Sequence, residues 1–449
     1  MKSELQSLLN GRVRWVLIFW MFLISAISYL DRVNMSIAGQ FLQKELNLSN
    51  AELGYVFSAF VFGYALSQAP AGRVADRLGP RKVIALATLW WGAFTALTAS
   101  VSVAVPSAFA ILISVRFLLG VGEAVVFPAS NRLVASWIPS AERGLANGLI
   151  FAGVGMGAGV APPLLTFIIL RFGWRWTFWV CALLGIAAGA IWLLLARNKP
   201  EEHPWADAAE IAKIRSGMPP ATPNQPNIQV PWQVILSSRN VLMLTASYFT
   251  YGYVAYIFFT WFFIYLSKVR GLDLKSSAFY GMLPFLAMAV CSPIGGWISD
   301  RLTRSYGKRI GRCGVATFGL AGSAIFVACA TQVQDARLAS LVLAGGAGSL
   351  YLAQSSFWSV TADLGGNSAG SISGFMNTGN QIGGTVTASL TPLLAEQYGW
   401  TASFLVAAGF SALGALAWLF VNPNGHMNTD MPDREAVVRH GFEPQVGKV

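Results

Sequence analysis

Four charged residues lie deep inside otherwise apolar sequence. Asp31 and Arg32 stand side by side in SYLDRVN (28–34), and Arg116 and Glu123 lie seven apart in RFLLGVGEAVVFPASNR (116–132). Their charges sum to zero. Neighbours on a helix point about 100° apart, so Asp31 and Arg32 cannot neutralise each other across one face. Residues seven apart share a face, about 10 Å apart along the axis. The spacing therefore suggests two interhelical ion pairs, with Arg116 and Glu123 as partners for Asp31 and Arg32. Such pairs can simply fix packing. They can also do acid–base work, because desolvation favours a neutral carboxyl while a nearby Arg favours the carboxylate. A carboxyl balanced between the two can load and lose a proton. Its Arg, once released, can grip an anion bidentately. On this reading Asp31, Glu123 and Arg116 handle a proton and Arg32 an organic carboxylate.

The elements that must hold these residues are membrane helices. The chain has 449 residues, is 55% hydrophobic and only 11% charged, and has a mean hydropathy of +0.54. A soluble domain carries about 25% charged residues. Runs of about 20 apolar residues, the length that crosses a bilayer, fall near 15–37, 52–72, 81–103, 107–128, 144–170, 175–196, 241–267, 277–299, 310–331, 338–362, 370–394 and 400–421. Asp31 lies 17 residues after Arg14, roughly 25 Å along the first helix. An ionisable residue at that depth points to function. The first run exceeds signal-peptide length and reads as an uncleaved helix.

Twelve spans place both chain ends on one side. Of the 31 Lys and Arg, 22 fall on that side, seven on the other, and Arg32 and Arg116 inside spans. This asymmetry expects cytoplasmic ends, and the net charge of +11 reads as topology facing anionic lipid rather than nucleic acid. The longest polar break, 197–240, contains a Pro-rich stretch (MPPATPNQPN) and a short amphipathic one (WADAAEIAKIR). The expected organisation is a six-helix bundle over 1–196, a cytoplasmic linker over 197–240, a second bundle over 241–421 and a flexible tail over 422–449. The bundles echo each other. GRVADR (72–77) recurs as GWISDR (296–301). Gly148, Gly153 and Gly157 recur as Gly374, Gly379 and Gly383, and GWRWTF (173–178) as GWTASF (399–404). Parallel six-helix repeats place a site at mid-membrane between the halves.

This combination resembles the major facilitator superfamily: GRVADRLGPRK (72–82) looks like its signature loop and GGWISDR (295–301) like the second copy. YLDRVNMSIA (29–38), GYVFSAF (54–60), the 116–132 segment and GFMNTGNQIGG (374–384) resemble the anion:cation symporter family, which includes bacterial sugar-acid carriers. The resemblance implies an all-α, twelve-helix major facilitator fold that couples protons to uptake of a sugar acid such as a hexonate, hexuronate or hexarate. It implies proton coupling at Asp31 and Glu123, and substrate positions at Tyr29, Arg32, Tyr64, Ser355, Trp358 and Asn377. Val154 stands where sugar-acid carriers offer a Gln, and Gln381, one turn after Asn377, is placed to compensate. Gly72, Asp76, Arg77 and Arg81, with Asp300 and Arg301, are expected to bridge the halves at the cytoplasmic face.

Other chemistries are weakly represented. His203, His426 and His440 all fall in the linker or tail, and no HExxH, GxSxG or paired-cysteine motif occurs. The Gly-rich 148–159 segment is apolar and follows no strand, which argues against a nucleotide loop. No metal or organic cofactor is expected, only a coupling proton. A monomer in the bacterial inner membrane is expected. Transport or exchange of aromatic or small di- and tricarboxylates, sodium coupling and a non-transporting sensor stay as alternatives.

Overall fold

The computed structural model describes residues 11–102, 107–218 and 229–425. Among these the chain is helical and contains no strand. The long helices are α1 (Val13–Glu45), α2 (Asn50–Leu78), α3 (Pro80–Ser100), α4 (Ala108–Trp137), α5 (Arg143–Phe172), α6 (Trp174–Leu195), α7 (Arg239–Thr260), α8 (Leu274–Lys308), α9 (Val315–Ala330), α10 (Ala336–Gly365), α11 (Ala369–Tyr398) and α12 (Trp400–Ala417). Nine described helical stretches are long and apolar enough to cross a membrane. Two of them, of 56 and 63 residues, hold two helices each, and the less apolar α2 completes the twelve. Most helices outrun the apolar spans. α1 continues to Glu45 and α8 to Lys308, because a backbone already hydrogen-bonded within itself can extend into the polar layer.

The repeated motifs mark equivalent geometry. Gly173 and Gly399, which open the two GW motifs, take φ of +88° and +84° at the α5–α6 and α11–α12 turns. Only Gly adopts that backbone without strain. The Gly triplets act in two directions. Gly148 of α5 lies against Ser292 and Pro293 of α8, and its counterpart Gly374 of α11 against Gln68 and Ala69 of α2. A Cβ at Gly148 would come within 2.5 Å of the Ser292 carbonyl oxygen. Gly153 and Gly157 instead meet α1, and Gly379 and Gly383 meet α7. Small residues thus let α5 and α11 approach one helix of their own half and one of the other.

The amphipathic stretch of the linker forms a helix, Ala208–Ser216, capped by Asp207. It docks on the first half. The buried Glu210 carboxylate accepts from the backbone N–H of Val13 at 3.2 Å and of Arg14 at 3.1 Å, which places negative charge at the positive end of α1. His203 wedges edge-on between Trp137 and Trp205, with Nε2 2.9 Å from the Leu195 carbonyl. Burial holds its imidazole below the usual range. Both described ends and the linker share one end of the molecule, the linker end. Part of the Pro-rich stretch and residues 426–449, with His426, His440 and nearly all of the expected tail, lie outside the described residues.

Candidate functional site

α4 places Glu123 at a defect. Pro128 has no N–H to offer the Ala124 carbonyl, and the helix loosens into a turn at Ala124–Val125, directly after Glu123. The carboxylate reaches across to α1. Its Oε1 accepts from Arg32 Nε at 2.8 Å and from the Ser28 hydroxyl. Its Oε2 is buried with no hydrogen-bond partner among the described residues. The Arg32 guanidinium lies over the rings of Tyr64 and Tyr29, at 4.2 Å and 4.7 Å, with Phe60 at 5.5 Å. This aromatic nest holds a cation in a dry place through the ring quadrupoles.

Asp31 faces elsewhere, as its position one residue before Arg32 requires. Its Oδ2 accepts from the Thr95 hydroxyl of α3 at 2.9 Å, and its Oδ1 is buried without a partner. The expected Asp31–Arg116 contact is not formed. Arg116 lies against the Phe60 ring at 4.9 Å, its Nε is buried without a partner, and it makes no ion pair among the described residues. Arg116 and Glu123 do share a face, but the apolar surface of α2 captures the guanidinium.

Between the halves lies a narrow cavity of about 30 Å³. Tyr29 and Tyr64 line it from the first half, and Tyr248, Tyr251, Tyr256 and Tyr351 from the second, together with Gln354, Trp358, Asn377, Asn380 and Gln381. Among the described residues no charged side chain lines it; Arg32 sits behind the Tyr29 and Tyr64 rings. Asn377 donates to Gln68 at 2.8 Å across the interface, and Tyr256 donates to Gln381 at 2.7 Å. Ser355 is fully buried and absent from the lining; its neighbour Gln354 lines the cavity instead. Val154 is buried and also lies outside the lining, whereas Phe151, one turn earlier, reaches it. A long amide within the otherwise small-residue AQSS stretch is the signal that marks Gln354, and the Tyr-rich α7 sequence marks Tyr248 and Tyr256.

At the linker end the halves are sealed. Asp76 of α2 accepts from the N–H groups of Gly370 and Ser371 at 2.9 Å and 2.7 Å and from the Ser371 hydroxyl at 2.6 Å, at the N-terminus of α11. Asp300 of α8 does the same at the N-terminus of α5, accepting from Gly144 at 2.8 Å and Leu145 at 2.7 Å, and from Arg312 at 2.7 Å. Each carboxylate crosses the interface to the positive end of a helix. Gly72 packs against the Gly370 carbonyl. Arg77, Arg81 and Arg301 do not join this seal. Arg77 is exposed, Arg81 donates to Leu193 within its own half, and Arg301 stacks on Trp297. The cations of the seal are instead Arg143, Lys308 and Arg312, gathered on the buried Asp363, and Arg132, which lies 3.8 Å from Asp76 and donates to Asn367 across the interface at 3.0 Å. Among the described residues, hydrogen bonds between the halves lie at or linker-ward of the Gln68–Asn377 contact; at the cavity the halves also meet through lining rings such as Tyr29 and Phe259, 5.8 Å apart.

The profile of the Major Facilitator Superfamily matches residues 21–388, and again 305–440. The chain is 34% identical over 436 residues to the probable sulfoacetate transporter of Cupriavidus necator, covering 96% of this chain and 99% of that one. The chain belongs to the major facilitator superfamily. This facilitator is also 29% identical to the hexuronate transporter of Bacillus subtilis, over 90% of this chain and 94% of the other. Its fold matches that of a proton:xylose symporter bound to 6-bromo-6-deoxy-D-glucose, with a TM-score of 0.74 at 12% identity over 92% and 97% of the two chains. The facilitator is therefore a multi-pass membrane transporter and not an enzyme.

Proposed function

We propose that this transporter moves a small organic anion together with protons, by alternating access of the central cavity. The observation that carries the proposal is the divided carboxylate of Glu123. Oε1 holds Arg32 and Ser28, while Oε2 is buried and bare. A proton added at Oε2 neutralises the charge that tethers Arg32. The released guanidinium can then enter between Tyr29 and Tyr64 and meet the anion's carboxylate or sulfonate in a fork. Release of the anion leaves a buried, unpaired Arg, which favours loss of the proton and re-formation of the Arg32–Glu123 pair. Cargo and proton thus share one cation. Asp31, also with one bare oxygen, supplies a second titrating carboxylate next to Arg116 but away from the cavity lining.

Sugar acids are the favoured cargo. The wall of tyrosine hydroxyls and amides offers many donors and acceptors, and relatives are named as hexuronate and galactarate/D-glucarate transporters. The cavity must widen to admit such a molecule; the hydrogen-bonded seal lies at the linker end, whereas rings such as Tyr29 and Phe259 close the other side, so parting the halves away from the linker breaks fewer polar contacts. With the linker cytoplasmic in a bacterial inner membrane, cargo taken up enters from that side. No cofactor and no partner chain is needed. Purified protein in liposomes tests the reading. An inward proton gradient should drive accumulation of a labelled hexuronate above the equilibrated level, and a proton uncoupler should abolish it. Accumulation driven equally by a sodium gradient at constant pH would replace the proton in the account.

A further inference from the structure

The second half of the cavity holds a hydrogen-bond arrangement that is incomplete in a specific way. Trp358 Nε1 can only donate, and it donates to the Tyr248 hydroxyl at 2.9 Å. Gln354 Nε2 donates to the same hydroxyl at 2.8 Å. Both lone pairs of the phenol oxygen are then used, and its own hydrogen must be given elsewhere. Gln354 Oε1 is buried with no partner. Gln354, Tyr248 and Trp358 are each buried and all line the cavity. The three side chains therefore present one O–H donor beside one carbonyl acceptor, with no charge.

An alcohol is the group that satisfies both, since its oxygen accepts and its hydrogen donates. A carboxylate or sulfonate oxygen only accepts. Placed here, it would meet the Tyr248 hydrogen but also face the Gln354 carbonyl oxygen, leaving that acceptor buried and unsatisfied. Among the described residues the cation next to the cavity, Arg32, lies on the opposite half, behind Tyr29 and Tyr64. Building on the transport reading above, we propose that Gln354 and Tyr248 form a hydroxyl-selecting subsite, and that this transporter prefers monoanions with a distal alcohol, such as hexonates and hexuronates, over dianions such as hexarates and sulfoacetate. Gln354 is the specificity-determining residue. Trp358 positions it by occupying one lone pair of Tyr248.

Binding measured by calorimetry on the detergent-purified full chain tests this without requiring transport. The panel is gluconate, glucuronate, glucarate, sulfoacetate and a deoxy acid lacking the distal hydroxyls. The expected ranking places gluconate and glucuronate at least about tenfold tighter than glucarate, sulfoacetate and the deoxy acid. Gln354→Leu should remove the preference by weakening the hydroxylated monoanions alone, and Tyr248→Phe should do the same in part. Gln354→Glu, which keeps the shape but adds a charge, should reject every acid. Dianions binding more tightly than monoanions would overturn the inference, because that order requires the Gln354 amide reversed with its NH₂ toward the cavity. Binding with an unchanged ranking in Gln354→Leu would overturn it as well, while leaving anion transport intact. Failure of every acid to bind wild type would remove both readings.

Discussion

Glu123 and Asp31 are two buried carboxylates in the same half of the molecule, and their surroundings assign them different work. Glu123 shares one oxygen between Arg32 and Ser28 and lies beside the cavity's aromatic rim. Asp31 has Thr95 as its one hydrogen-bond donor among the described residues, and Arg116, the cation expected to pair with it, is held against Phe60 instead. Both keep one bare oxygen. The difference lies in what a proton would release. At Glu123 it releases a guanidinium that can reach cargo. At Asp31 it changes the local field but frees no ligand. On the proposed mechanism, coupling a proton to an anion requires a carboxyl that holds a cation beside the cavity, and of these two Glu123 does so.

The contrast can be broken in order of expected effect. Glu123→Gln should reduce gradient-driven accumulation to the equilibrated level while anion counterflow persists; loss of counterflow as well would show that Glu123 builds the site rather than couples it. Arg32→Lys keeps the charge but loses the fork, and should weaken anion binding by about 10- to 100-fold, the value of charge-assisted bonds of about 1.5–3 kcal/mol. Calorimetry reads it directly. Asp31→Asn should leave anion affinity within about threefold, less than 1 kcal/mol, while altering the pH dependence of uptake. An effect on affinity as large as that of Arg32→Lys would place Asp31 in the substrate site. Asp300→Asn should remove about 1 kcal/mol or slightly more of helix-end stabilisation from the seal and shift the population several-fold toward a state open at the linker end. Thiol labelling of a cysteine placed at Thr361, which receives Asn131 across the closed interface at 2.9 Å, would report that shift as faster modification.

Much of this arrangement was legible in the residues, and the remainder failed for one physical reason. The neutral set of four buried charges, the shared face of Arg116 and Glu123, the divergence of Asp31 and Arg32 and the equivalent Gly positions all follow from the 3.6-residue repeat. The rotational phase of each helix about its axis does not. α5 and α10 are apolar or small nearly all round, so no stripe says which face meets the cavity. A shift of one residue separates Ser355, which is buried outside the cavity lining, from Gln354, which lines it. Three residues separate Val154 from the cavity-lining Phe151. The same limit applies to Arg116, whose partner depends on how close α2 brings Phe60. Charges at helix ends were visible, yet sequence could not say that Arg143, Lys308 and Arg312 converge on Asp363 while Arg77, Arg81 and Arg301 stay outside the seal. That depends on which loops the closed state brings together.

The central claim is that Glu123 exchanges its hold on Arg32 for a proton when the anion enters. Its most direct test is proton movement on addition of anion to liposomes with no imposed gradient. Wild type should acidify the lumen in proportion to anion taken up, as reported by a trapped pH dye, and Glu123→Gln should carry anion with no acidification. Equal acidification in the two proteins would contradict the account.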